Sequence, residues 1–189
     1  VMIDHDIGMF LQPEYITSRL TYKGCGISDD DLSRPIIGIA NSFTDMVPGH
    51  TNLRQVAQYV KYGVYRAGGT PLEFGTVAVC DGIATGHCGN NYALPSRENI
   101  ADSVEIAAKA HRLDGLVLLA SCDKIVPAMM MAAARLDIPC IFINGGCMLS
   151  GPAFEDFPKT DATFPAEALG MYQAGKISME EVDNLTEVC

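Results

Sequence analysis

An α/β fold is predicted for this chain: three layers, with a doubly wound, mainly parallel sheet and helices on both faces. Three observations predict it. Four apolar runs, each bounded by turn residues, have the length of buried strands. Helical periodicity fills each interval between them. Apolar strands joined by single helices favour a parallel sheet with right-handed crossovers. The chain's 189 residues suffice for one such domain with a well-buried core.

In chain order, residues 1–34 are expected to form an N-terminal helical arm and 35–189 the α/β domain. "PIIGIA" (35–40) predicts the first strand. Leu53, Val56, Ala57, Val60, Val64 and Ala67 then share one helical face, and Gly68-Gly69 marks the stop. "PLEFGTVAV" (71–79) predicts the second strand. A second helix follows Pro95-Ser96, with Ile100, Val104, Ala107, Ala108 and His111 on one face. "GLVLLA" (115–120) is the third strand. The third helix runs from about Val126 to Leu136, with Pro127 in the tolerant first turn. "IPCIFI" (138–143) completes the set. Residues 147–165 have no period and are expected to be poorly ordered or altered in conformation. Two helices end the chain, the second opened by Ser178 and Glu181 in capping-box spacing. The last helix stops without a tail or closing strand, so the chain is expected to be cut from a longer protein.

Composition narrows the function. Hydrophobic residues make up 48%, and the formal net charge is −10. An acidic chain repels phosphate backbones, which disfavours nucleic acid as a partner. No apolar run approaches the ~20 residues of a membrane span, and no secretory leader opens the chain. A soluble, cytoplasmic protein is expected, or one of an organelle matrix in a eukaryote. Seven cysteines, an odd number with no Cys-x-x-Cys pair, read as reduced thiols that are buried or act as ligands.

Ligands of open parallel sheets bind at the carboxyl ends of the strands, so the residues after each strand matter most. They are Asn41, Ser42, Thr44, Asp45 and His50 after the first, and Cys80-Asp81-Gly82 after the second. Ser121-Cys122-Asp123-Lys124 follows the third, and Asn144-Gly145-Gly146-Cys147 the fourth. Single polar residues in such places are mostly helix caps or turn formers. Four clusters on one rim point further. Asp81 and Asp123, taken as neighbouring strand ends, suit a hard cation such as Mg²⁺; the competing reading makes both N-caps. Cys122 suits zinc or an iron–sulfur cluster, and Lys124 beside Asp123 suits a salt bridge. His50 and His87 are candidate ligands or acid–base groups.

The segments "RPIIGIANSFTDMVPGHTNLR", "GGTPLEFGTVAVCDGIATGH", "YALPSRENIADSVE" and "CDKIVPAMMMAAARLDIPCIFINGG" resemble, in order, those of the dihydroxy-acid dehydratase and 6-phosphogluconate dehydratase family. The resemblance covers roughly residues 15 to 189. It implies a hydro-lyase that turns a 2,3-dihydroxy acid into a 2-keto acid in branched-chain amino-acid biosynthesis. It further implies Mg²⁺ held by Asp81, Asp123 and Lys124 as a carbamate, and a 2Fe-2S or 4Fe-4S cluster with Cys122 as ligand. The implied partners are a small hydroxy-acid substrate and a second copy, as a homodimer. The family's proton-abstracting serine lies in a C-terminal domain outside this sequence, so no catalytic base is expected here and the 189 residues alone are expected to be inactive. Three departures stand out. Gly49 occupies a position where some members carry a cysteine. A further cluster cysteine of the family lies beyond Cys189, which is not itself assigned. "GHCGNNYALPS" replaces the usual Glu-Gly-Met after the histidine, so Cys88, Asn90 and Asn91 join His50 and His87 as substrate-loop candidates.

Two alternatives stay open at this point. One is a sugar-acid or 6-phosphogluconate dehydratase with the same metals. The other is a non-catalytic small-molecule-binding domain in which Asp81, Asp123 and Lys124 are only caps and an ion pair.

Overall fold

The computed structural model describes residues 6–151, 161 and 163–188. Much of the aperiodic stretch 147–165, and Cys189, therefore lie outside the described residues. Packing divides the chain into two compact units, one ending at Gly146 and one beginning at Cys147.

In the first unit, two short 3-10 turns lead into helix α1 (Ile16–Gly24) and the single turn α2 (Asp29–Leu32). A reciprocal capping box starts α2: Asp31 N–H donates to Ser28 Oγ (3.2 Å), and Ser28 N–H to Asp31 Oδ2 (2.9 Å). Met9, Phe10 and Leu32 from this region are buried in the main core, so the predicted arm is packed against the sheet structure.

Four strands follow: β1 (Ile36–Asn41), β2 (Thr70–Gly75), β3 (Gly115–Ala120) and β4 (Cys140–Asn144). They pair in the order β2-β1-β3-β4, and every pairing is parallel. Growth runs one way from β1 to β2, then reverses across β1 to β3 and β4. With right-handed crossovers, that reversal must place the connecting helices on opposite faces. They are so placed. Helix α3 (Leu53–Arg66) packs Leu53 and Ala57 against Ile39, Val117 and Leu119. Helices α5 (Ala93–Ala110) and α6 (Ile125–Leu136) bury Ile100, Val104, Ala108 and Met129 with Ala40, Leu116 and Leu118. The period-two alternation of "GLVLLA" thus feeds both cores, and three layers result.

Local signals explain the element ends. Gly68 (φ +84°) closes α3, as Gly68 N–H donates to Tyr65 C=O (3.0 Å) and Gly69 N–H to Val64 C=O (3.0 Å), satisfying the final carbonyls. Helix α5 starts at Ala93, two residues before Pro95, which falls in the first turn, where a missing N–H costs nothing. The predicted second strand is too long: β2 ends at Gly75 rather than Val79. Its sheet neighbour among the described residues, β1, ends at Asn41, whose carbonyl takes a last bond from Thr76 N–H (3.0 Å). Beyond that point no ladder partner remains. Residues 76–80 continue to a short helix α4 (Asp81–Ala84). The fourth strand begins two residues later than predicted, at Cys140.

In the second unit, α7 (Phe164–Gln173) and α8 (Met179–Val188) form a helix pair around Phe164, Ala168, Val182 and Leu185. The predicted capping box opens α8: Ser178 N–H donates to Glu181 Oε2 (2.6 Å) and Glu181 N–H to Ser178 Oγ (3.2 Å).

Candidate metal centre at the strand tips

The centre is assembled from two dipeptides of the same kind, Cys80-Asp81 beyond β2 and Cys122-Asp123 beyond β3. These strands are not neighbours as expected, because β1 lies between them. The residues after Gly75 close the gap. Two strand spacings are ~10 Å, and a five-residue extended segment reaches ~16 Å, so residues 76–80 can carry Asp81 across the tip of β1. Lys124 Nζ donates to Asp81 Oδ2 at 2.5 Å and to Asp123 Oδ2 at 2.6 Å. One cation therefore bridges both carboxylates, at the point where the sheet order reverses and where open α/β sheets bind ligands.

Neither acid serves as a helix cap. Cys80 occupies the N-cap position of α4 and Lys124 that of α6, and no side-chain cap bond forms at either. The capping reading of Asp81 and Asp123 is therefore set aside, and both carboxylates face the ammonium. Asp81 Oδ1 is buried and has no hydrogen-bond partner. A buried carboxylate oxygen without a donor is costly, and such orphans mark sites completed by a further group.

The electrostatics follow from this contact. Hydrogen bonding to Lys124 holds the Asp123 carboxyl below its ordinary range, while its partial burial opposes the shift. The two acids, Asp123 first, raise the Lys124 ammonium well above a normal lysine. Burial pushes the Cys122 thiol up. The backbone N–H groups of Asp123 and Asp81 pull it down, and nearby Cys80 raises it.

Cys122 adopts φ +71°. A non-glycine residue there costs about 1–2 kcal/mol, and such strain is characteristic of functional turns. Arg112 and Asp137 share the conformation, but both lie just past helix ends, where it is common.

The remaining predicted residues fall into two groups. His87 lies in an exposed turn: its Nδ1 accepts from Gly89 N–H (3.0 Å) and its Nε2 lies 2.9 Å from Ile83 C=O. Cys88, Asn90 and Asn91 are exposed in the adjoining 3-10 turn. A depression of about 280 Å³ beside them is walled by Val47, Ala78, Cys80, Ile83 and His87. It gives the tips an apolar neighbour. A larger cavity of about 490 Å³ lies at the opposite rim, near Pro35, Gly115 and Pro139, away from every candidate group. His50, by contrast, is fully buried, and its ring meets backbone rather than a pocket.

What the sequence reading missed is the clamp around His50. The Pro48–His50 turn packs onto the tips of β3 and β4. A Cβ on Gly49 would sit 2.7 Å from Gly146 O and 2.8 Å from Ser121 Oγ, so position 49 accepts no side chain as the tips now stand. Ser121 Oγ donates to Gly146 C=O (2.7 Å), and Asn52 Nδ2 to Gly145 C=O (3.0 Å). The signal was visible as small residues after two different strands, Gly49 after β1 and Gly145-Gly146 after β4.

Among the described residues no group of three or more His, Cys, Asp or Glu side chains is poised to hold a metal. The ammonium of Lys124 lies between the two acids. Two converging carboxylates bridged by a cation, with a buried acid oxygen left over, fit an oxygen-preferring divalent ion.

The model of the dihydroxy-acid/6-phosphogluconate dehydratase N-terminal family matches residues 34–189. The chain belongs to this family. It is 52% identical over 164 residues to a dihydroxy-acid dehydratase of Pyrococcus furiosus, covering 87% of this chain and 29% of the relative. A dihydroxy-acid dehydratase of Methanococcus vannielii is 55% identical over 165 residues, 87% of this chain and 30% of the relative. One of Clostridium pasteurianum is 53% identical over 167 residues, 88% of this chain and 58% of the relative. The chain thus spans about 30% of the length of the two archaeal relatives. Among the described residues of this dehydratase-family chain, no helix is long and apolar enough to cross a membrane.

Proposed function

We propose that this chain is the metal-binding N-terminal part of a dehydratase that removes water from a 2,3-dihydroxy acid to give a 2-keto acid, in branched-chain amino-acid biosynthesis. The observation that carries the reading is the double contact of Lys124 Nζ with Asp81 Oδ2 and Asp123 Oδ2. Asp81, Asp123 and the carbamate of Lys124 would hold Mg²⁺, and Cys122 would supply a thiolate to an iron–sulfur cluster. When bound, these centres supply Lewis acidity toward the leaving hydroxyl and stabilise charge on the substrate's carboxylate side.

Charge balance supports the assignment. Two carboxylates and one ammonium leave one net negative charge. Two carboxylates, one carbamate and a divalent cation leave the same charge. The surroundings therefore tolerate either state without a new counter-ion. Carbamylation needs the neutral amine: Nζ loses a proton, attacks carbon dioxide and forms an N–C bond, and the product releases a second proton. The two acids hold Lys124 charged, which opposes that step until a cation competes for the carboxylates. Binding of Mg²⁺ and of carbon dioxide is thus expected to be mutually dependent. The exposed turn with Cys88, Asn90 and Asn91 and the depression walled by Cys80 and His87 are the proposed substrate-facing surface, supported by their closeness to Asp81.

The experiment is Asp81→Asn in the intact protein. We expect loss of 2,3-dihydroxy-acid dehydration beyond the ~10–100-fold typical of groups that merely support a ligand, together with loss of bicarbonate-dependent Mg²⁺ binding by calorimetry. Retention of both overturns the reading. Offering sugar acids and branched dihydroxy acids to the same preparation decides the substrate class; the similarity to dihydroxy-acid dehydratases favours the latter. A cytoplasmic homodimer is part of the proposal, supported by the family resemblance and checked by analytical ultracentrifugation.

A further inference from the structure

His50 is a fully buried histidine, 0% exposed, that the proposed chemistry does not use. It stands at the reversal point of the sheet, between the tips of β1 and β3. Its Nδ1 lies 2.7 Å from the Ser42 carbonyl and 3.0 Å from Ser42 Oγ. Its Nε2 lies 2.9 Å from the Ser121 carbonyl. Ser42 Oγ offers no proton to the ring, because it donates to the Leu119 carbonyl at 2.8 Å. Every atom facing the two ring nitrogens is therefore an acceptor. A neutral imidazole has one N–H and would leave one nitrogen lone pair facing an oxygen lone pair. Both contacts become hydrogen bonds only if both nitrogens donate.

We infer that His50 is a positioning residue that donates from both ring nitrogens, tying the Ser42 and Ser121 carbonyls together and so holding Cys122 in its left-handed turn. Ser121 immediately precedes Cys122. With its carbonyl fixed by Nε2 and its hydroxyl bonded to Gly146 C=O (2.7 Å), the peptide entering Cys122 is pinned on both sides. Pinning of that kind is what keeps a residue at φ +71° against the cost of the conformation. Its worth to the protein rests on the reading of Cys122 as a cluster thiolate, but the hydrogen-bond pattern does not.

Two measurements on the intact protein test it, neither of them an activity. The first is NMR on protein labelled with ¹⁵N-histidine, with the His50 signals assigned by their loss in His50→Gln. Two imidazole N–H protons on His50 are expected, and a single N–H overturns the inference. The second is alkylation of the metal-free protein by a small thiol reagent, followed cysteine by cysteine by mass spectrometry. His50→Phe keeps the bulk and removes both donors, so Cys122 should alkylate about tenfold faster while half-buried Cys140, at the start of β4, keeps its rate. His50→Gln, which restores a donor, should recover part of the protection. Equal acceleration of Cys122 and Cys140 means general loosening and overturns the positioning role. If both results are as expected but the protein takes up no cluster, the clamp stands and the proposed function fails.

Discussion

All six residues of β3, from Gly115 to Ala120, are buried, and the strand is paired on both sides. In the four residues that follow, burial falls away, one φ turns positive, and an acid and an amine stand side by side. In the strand, each side chain serves one of two cores and each backbone group serves the ladder. At the tip the ladder has ended, and the Ser121 carbonyl instead faces the His50 ring from the turn before α3. Stability is concentrated in the strand, while strain and charge are concentrated at the tip. The sheet can carry a costly tip because the cost is borne over only a few residues.

The largest effect that would sharpen this contrast is in the strand. Leu118 is fully buried between the sheet and α5/α6, so Leu118→Ala should cost about 2–5 kcal/mol by the lost burial and the cavity left behind, read as a shift in the denaturation midpoint. At the tip the sign should reverse. Cys122→Gly relieves the left-handed penalty and should stabilise the metal-free protein by up to about 1 kcal/mol, while removing the proposed cluster ligand. A destabilising Cys122→Gly would break the comparison, since it would mean that the thiol's packing outweighs the strain.

The smallest effect concerns pH. The Asp123 carboxyl is depressed in the folded protein by Lys124, so its contribution is present above the unfolded carboxylate value of ~3.9. It is lost as pH falls through the lower folded value. Acid titration of stability should therefore show a slope below about pH 4 that is reduced in Lys124→Met. An unchanged slope would show that solvent screening cancels the pair, as it does for many exposed ion pairs.

Much of the fold was legible because its signals are local. The apolar run "GLVLLA", the α3 stripe ending at Gly68, and the Ser178–Glu181 box each depend on residues within a few positions of one another. The length of β2 was not legible. "TVAV" has strand composition, but strands need partners, and only the end of β1 at Asn41 decides where pairing stops. The site was legible in part. Asp81, Asp123, Lys124 and Cys122 could be picked out as polar groups just past strand ends, whereas the ring of His50, a candidate ligand or substrate-loop group by sequence, lies against the Ser42 and Ser121 carbonyls. A loop histidine looks the same in sequence whether its ring meets solvent or a buried main chain.

By itself, then, the sequence determined which residues pair with which period, that the strands run parallel, and that acids and thiols sit just past them. Only the tertiary structure decided that β1 separates β2 from β3, that the residues after Gly75 nevertheless bring Asp81 to Lys124, and that His50 ties the rim together. The physical reason is range. Periodicity and capping act within one or two turns of chain, whereas Asp81 and Lys124 lie 43 positions apart and His50 and Ser121 lie 71 apart. Such contacts exist only once sheet order has closed the distance between them.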